Sequence, residues 1–417
     1  MTVLTPGQRI AVQHRTVAVL SAGQVLGGVA FGATVSLGAL LAADLSGSDG
    51  LSGLATASVT LGPALCSIPL ARMAARFGRR RALTLGNAFA LAGIVIVVLA
   101  VSLRAFPLLL LGTLTIGAGN AGNLQSRFAA TDLAAPAHRG RDLSIVVWST
   151  TIGGVAGPLL LGPGEVVGQA IGMPPQTGSY AFSFVAQCLA LVLYLAALRP
   201  DPLLAAQKLE QAAAAATGAV RADRPAMARY AIFAIAGSHV VMASVMAMTP
   251  VHLSHMAHEM HGAHTTAADV SALVGITIAL HVGGMYALSP VFGILADRLG
   301  RLRIVLLGQV LLGGALAFAV FANDRAWGVI VALILLGLGW SAATVAGAAL
   351  LTEASAPELR TRRQGRSDSL MSLCAAAGAV LAGVILSAFQ YAGLGIAASV
   401  IVVAIVALSP LARGRAT

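Results

Sequence analysis

The chain has 417 residues, 58% of them hydrophobic and only 10% charged, where a soluble domain carries about 25% charged residues. Its apolar residues recur in runs of roughly twenty, which excludes an ordinary soluble enzyme and predicts a polytopic helical membrane protein. The shorter alternating segments of a β-barrel are not visible, and the net charge of +11 is distributed in a way that excludes a nucleic-acid patch.

That distribution sets the topology. Of 26 Lys and Arg, Arg104 and Arg325 fall in loops placed outside and Arg127 lies within a span. The others cluster in alternate loops and at the termini, which is the positive-inside pattern. Twelve spans are predicted, at about 16–42, 51–75, 82–102, 107–131, 143–162, 179–198, 229–250, 269–292, 304–322, 327–352, 367–389 and 394–411. Both termini are then cytoplasmic, and residues 1–15 precede a span too long for the apolar core of a signal peptide.

Taken in order, the first six spans form one bundle (1–198). A polar, Ala-rich cytoplasmic linker follows (199–228), with a short surface helix expected at 202–215. The last six spans form a second bundle (229–417). The halves repeat. RFGRRR after span two matches DRLGRLR after span eight, so that Arg76, Gly78 and Arg79 correspond to Arg298, Gly300 and Arg301. TDLAAP (131–136) matches TEASAP (352–357) at nearly the same offset. Such matches indicate duplication, and an even number of spans per half makes the repeats parallel.

The segment GILADRLGR (293–301) resembles the loop signature of the major facilitator superfamily, matching at Gly293, Asp297, Arg298, Gly300 and Arg301. The first-half copy keeps Arg76, Gly78, Arg79 and Arg80 but has Ala71 and Ala75 in place of Gly and Asp. GGVAGPLLLG (153–162) in span five is close to the family's glycine–proline motif. The resemblance implies an all-α fold of twelve transmembrane helices in two six-helix bundles related by pseudo-two-fold symmetry, working by alternating access. It assigns gating to Asp297, Arg298, Arg301, Arg76 and Arg79, although for each arginine plain topology anchoring is a comparable reading.

Seven of the nine histidines lie between His239 and His281. In span seven, His239, Met242 and Met246 share one helical face, and in span eight so do His281 and Met285. Counted from the cytoplasmic ends, Met242 matches Met285 in depth and Met246 matches His281, at roughly 20 Å and 25 Å for a 1.5 Å rise. Thioethers with one imidazole make a soft, neutral ligand set that favours Cu(I) over harder ions. Methionine also fills apolar cores without any ligand, but an imidazole inside a membrane is costly and more often functional.

The Met-x-x-x-Met and His-x-x-x-Met pair on spans seven and eight resembles that of the CcoA-like copper importers of the same superfamily. The resemblance implies a metal site at Met242, Met246, His281 and Met285. It implies copper as transported substrate with no permanently bound cofactor, a bacterial plasma-membrane location, and copper chaperones serving haem–copper oxidase assembly as partners. His239 is an auxiliary metal candidate. So are His255, His258, His261 and His264, which recur every third residue in the outer loop and read either as metal collectors or as a polar, pH-sensitive loop.

A monomer in the lipid bilayer is expected. The competing reading is a proton-coupled exporter of drugs or other organic solutes, and a third is a metal-sensing membrane scaffold that moves nothing. Against the exporter, no carboxylate is placed mid-span; Asp44, Asp132 and Glu353 lie near ends. Arg127 and Asp132 are expected to pair with each other or with the next loop. The three cysteines, Cys66, Cys188 and Cys374, fall inside apolar spans and imply no disulfide framework. No nucleophile–base set or phosphate loop is visible.

Overall fold

The structure is a computed structural model that describes residues 5–47, 51, 53–217, 222–261 and 267–412. Among these residues there are fourteen α-helices and no strand: α1 (Pro6–Ser46), α2 (Gly53–Phe77), α3 (Arg79–Ser102), α4 (Phe106–Ala129), α5 (Arg139–Leu159), α6 (Leu161–Ala170), α7 (Ser179–Ala197), α8 (Pro202–Thr217), α9 (Pro225–His261), α10 (Ala267–Tyr286), α11 (Ser289–Leu299), α12 (Arg301–Phe321), α13 (Ala326–Ala354) and α14 (Pro357–Ala407).

Nine helices among the described residues are long and apolar enough to cross a membrane, ten if α5 and α6 form one bent span. Two further spans complete the expected twelve. α4 carries Asn120, Asn123, Gln125 and Arg127 in its second half, which lowers its hydropathy without changing its length. α14 is interrupted at Gln390, where φ is 59°, so its 51 residues make two limbs. The all-α membrane fold predicted from the sequence is therefore observed.

Local sequence explains the ends. α1 starts about ten residues before the predicted span because Thr5-Pro-Gly-Gln8 is a capping box. Gln8 N–H donates to Thr5 Oγ1 at 3.4 Å and Thr5 N–H donates to Gln8 Oε1 at 3.0 Å, with proline in the first turn. α3 and α12 both begin after a glycine of positive φ, Gly78 at 91° and Gly300 at 102°. A side chain would strain either turn, which is why the repeated Arg-rich loops keep glycine at that position. The linker helix expected at 202–215 is α8.

The chain divides into two compact units, Met1–Asp223 with Ser355–Ser372, and Arg224–Ala354 with Leu373–Thr417. The first third of α14 thus belongs with the N-terminal helices. In the first unit α4 packs on α2 and α3, and α1 on α5 and α7; in the second, α13 packs on α9, α10 and α12. The α3–α4 and α12–α13 pairs are the same pair in the two repeats. The core of the second unit is a cluster that includes Val241, Met242, Val245, Met285, Leu333, Leu336 and Trp340.

Candidate functional site

α13 is the platform of the site. It packs against both α9 and α10, which touch each other far less. The contact with α10 is close because Gly337 lacks a side chain. A Cβ there would collide with the His281 carbonyl oxygen and lie 3.0 Å from the Met285 nitrogen. Small residues at helix crossings allow this approach inside a membrane. The result brings Met242 (4% exposed) and Met285 (7% exposed) into one buried cluster, with Met246 packed against it.

His281 stands one turn before Met285 and is wholly buried. Its Nδ1 lies 2.8 Å from the Leu333 carbonyl oxygen on α13. A carbonyl only accepts, so the ring proton sits on Nδ1 and the neutral ring turns a lone pair outward from Nε2. Nε2 has no hydrogen-bond partner among the described residues. A backbone acceptor that fixes the tautomer and frees the opposite nitrogen is the usual support of a histidine metal ligand. Among the described residues no three His, Cys, Asp or Glu side chains come together to hold a metal, so a metal site here rests on thioether sulfur beside one imidazole.

A proline stands close to these residues in α9 and in the predicted eighth span. The span predicted at 269–292 is broken: α10 ends at Tyr286 and α11 begins at Ser289. Pro290 cannot donate to the Tyr286 carbonyl, and the Ser289 hydroxyl donates to it instead at 2.8 Å. In α9, Pro250 likewise denies the Met246 carbonyl its helical donor.

His239 is engaged differently from His281. Trp340 Nε1–H on α13 donates to His239 Nδ1 at 2.6 Å. The indole also meets the Tyr286 ring edge-on, with centroids 5.7 Å apart. The indole therefore joins α9, α13 and the end of α10 in one aromatic group beside the two buried methionines. His252 stacks on Tyr391 at 4.2 Å. The side chains of His255, His258 and His261, and all of His264, lie outside the described residues. The remaining histidines, His14 and His138, line a separate cavity of about 510 Å³ with Arg9, Gln13 and Arg141.

The charged loops repeat in three dimensions as they do in sequence. Arg79 donates to Asp132 through Nε at 2.8 Å and Nη2 at 3.2 Å, both side chains fully buried, and Nη2 also reaches Gln364 at 2.7 Å. At the matching offset Arg301 pairs with Glu353 at 3.4 Å and with Asp297 at 3.1 Å, with 18% and 35% of the Arg301 and Glu353 side chains exposed. Arg76 and Arg298 are exposed, and Arg76 lies 5.1 Å from the centre of the Phe77 ring.

The family profile described as Major Facilitator Superfamily matches residues 20–283 and 253–416. The chain belongs to this superfamily. It is 34% identical to the uncharacterized MFS-type transporter YdeG of Bacillus subtilis, over 99% of this chain and 95% of that protein. It is 31% identical to the riboflavin transporter RfnT of Brucella anthropi, over 89% of each. The solved structure of the human organic anion transporter MFSD10 superposes with a TM-score of 0.72 at 17% identity, covering 95% of this chain and 99% of that one. The fucose:proton symporter FucP of E. coli gives 0.59 at 16%, over 96% and 98%. These last two likenesses speak to fold alone.

For a superfamily transporter, one expectation needs correcting. Arg127 and Asp132 do not pair with each other. Asp132 goes to Arg79, and Arg127 goes to Asp368 in the first third of α14. Asp368 is the second residue of the predicted span 367–389 and is fully buried. Its position in the sequence was visible; its partner was not, because the two lie 241 residues apart.

Proposed function

We propose that this multi-pass transporter imports copper across the bacterial plasma membrane by alternating access, with both termini cytoplasmic. The reading holds Cu(I) between Met242, Met246, His281 and Met285, with His239 and the outer histidine loop as auxiliary stations. The observation that carries it is the state of His281: buried, held by Leu333 through Nδ1, with Nε2 unpartnered among the described residues, in a helix whose Met285 shares a core with Met242. Neutral donors leave no fixed charge in hydrocarbon, and weak thioethers release the ion readily. The break between α10 and α11 at Pro290 supports the same reading, since transporter sites form where membrane helices are discontinuous. Gating falls to the Asp297, Arg298 and Arg301 loop and to Arg76 and Arg79.

A second reading is favoured by a different observation. Trp340, His239 and Tyr286 form an aromatic group at the same level of the chain, and one relative is named a riboflavin transporter. A planar aromatic solute stacked on Trp340 fits that group.

One titration separates the two. Purified protein in detergent is given Cu(I) in competition with a chromogenic chelator, and separately riboflavin, read by quenching of tryptophan emission. The copper reading predicts Cu(I) binding that weakens by at least roughly 10-fold in His281→Ala and in Met285→Leu, the order of effect seen when a metal site loses a supporting group. Trp340→Phe leaves it in place. Unchanged Cu(I) affinity in both ligand variants, with riboflavin quenching lost in Trp340→Phe, contradicts it and favours the aromatic solute.

A further inference from the structure

The first unit holds a cavity of about 510 Å³ that none of these readings uses. Its wall comes from the start of α1, the short 3-10 helix Pro136–His138, the first turn of α5 and the linker helix α8. The lining residues of α1 and α5 all precede the predicted spans 16–42 and 143–162. That places the cavity at the edge of the apolar core on the Arg-rich side, where lipid headgroups lie.

Two guanidiniums in the wall are held by different means. Arg9 donates through Nε to the Leu133 carbonyl at 3.0 Å and through Nη2 to the Ala134 carbonyl at 3.4 Å. Both acceptors are neutral, so these bonds orient the group and leave its charge unmatched among the described residues. Arg141 donates to Asp142 Oδ1 through Nε and Nη2, each at 2.9 Å. Buried Gln13 donates to the other oxygen, Oδ2, at 2.7 Å. Asp142 is thus spent on its own neighbours. Two lining arginines against one lining aspartate leave one positive charge. His14 and His138, both exposed, add imidazole groups that can donate. Much of the remaining wall is apolar. Ile10 is 59% exposed, and Leu133 and Leu209 share one packed cluster.

The matching ligand carries one negative charge on forked oxygens and an apolar body. Guanidinium forks suit phosphate oxygens, and basic pockets beside membrane helices take acidic lipid headgroups. We propose that this cavity binds a phosphodiester monoanion, with Arg9 and Arg141 on its two unesterified oxygens and its ester substituents along Ile10 and Leu209. A phosphate monoester carries about −1.5 to −2 at neutral pH, more than the one positive charge offered. An acidic glycerophospholipid and its water-soluble deacylated headgroup share the diester chemistry, and the apolar wall favours the lipid. A diester bound there joins the linker helix to the starts of α1 and α5.

Native mass spectrometry of the full chain released from detergent micelles counts the bound molecules. Phosphatidylglycerol is the probe. Phosphatidylcholine, whose headgroup carries its own cation, is the comparison. Glycerophosphoglycerol, the same headgroup without acyl chains, is the soluble arm. The expected result is one phosphatidylglycerol held in preference to phosphatidylcholine. Its affinity falls roughly 10-fold or more in Arg9→Gln, the worth of one hydrogen bond to a charged group. It falls likewise in Ala135→Glu, which adds a carboxylate at an exposed lining position and removes no side-chain bond. That second variant carries the test if Arg9→Gln, deprived of its carbonyl bonds, fails to fold. Arg15→Gln removes an exposed arginine from outside the lining and leaves the affinity as it is. Glycerophosphoglycerol that displaces the lipid one for one assigns the site to the diester alone, and lipid that stays bound against it assigns the site to the acylated form. Equal retention of the two lipids, or phosphatidylglycerol held by Ala135→Glu or by folded Arg9→Gln as tightly as by the parent, overturns the proposal.

Discussion

Arg79 and Arg301 occupy equivalent places in the two repeats, yet their surroundings give them different weights. Arg79 and Asp132 are fully buried and doubly bonded, whereas Arg301 and Glu353 are partly exposed. Removing one partner of a buried pair strands a charge and costs about 3–5 kcal/mol, while an exposed pair contributes about 0.2–1 kcal/mol. Arg79→Gln is therefore expected to lower the thermal unfolding midpoint in detergent much more than Arg301→Gln. Equal shifts would mean that the first-half pair is no more buried in solution than the second. The residue types were legible in the sequence: Arg79, Arg301, Asp132 and Glu353 stand in matched motifs. Their burial was not, because it depends on how α8 and the start of α14 cover the first-half loop.

At the scale of elements, spacing on single helices was readable and contacts between helices were less so. Met242, Met246, His281 and Met285 fall on shared faces by periodicity alone, and those faces are the buried ones for Met242, His281 and Met285. The sequence placed α13 as a span at 327–352 but did not reveal its part as the platform for α9 and α10. Nothing in its apolar run marks Leu333 as the acceptor for His281 or Gly337 as the point of closest approach. Pro290 is a signal for the helix break after Met285, but an ambiguous one, since proline is common in membrane spans. Gly337 supplies a test. A Cβ at that position meets the α10 backbone at His281 and Met285, so Gly337→Val overpacks the crossing at a cost of about 1–3 kcal/mol. It is expected to weaken Cu(I) binding in the same chelator competition while leaving every proposed ligand side chain in place. Unchanged Cu(I) affinity in a Gly337→Val protein with a lowered unfolding midpoint would show that the α10–α13 crossing does not set the ligand geometry.

For the whole molecule, the duplicated plan was legible from two short matches in sequence, and the structure repeats it as equivalent helix pairs, glycine turns and ion pairs. The partition of α14 was not legible, because a long apolar run shows where a helix can lie but not which neighbours it will have. That partition is what brings Asp368 to Arg127. The cargo is the central claim, and cellular copper tests it most directly. Cells lacking their own copper importers are given this chain or a Met242→Ala/His281→Ala variant at matched membrane level, and their metal content is measured by elemental analysis. The account predicts that the intact chain raises cellular copper and the variant does not. Copper that stays the same in both, or falls with the intact chain, contradicts import through the Met–His site.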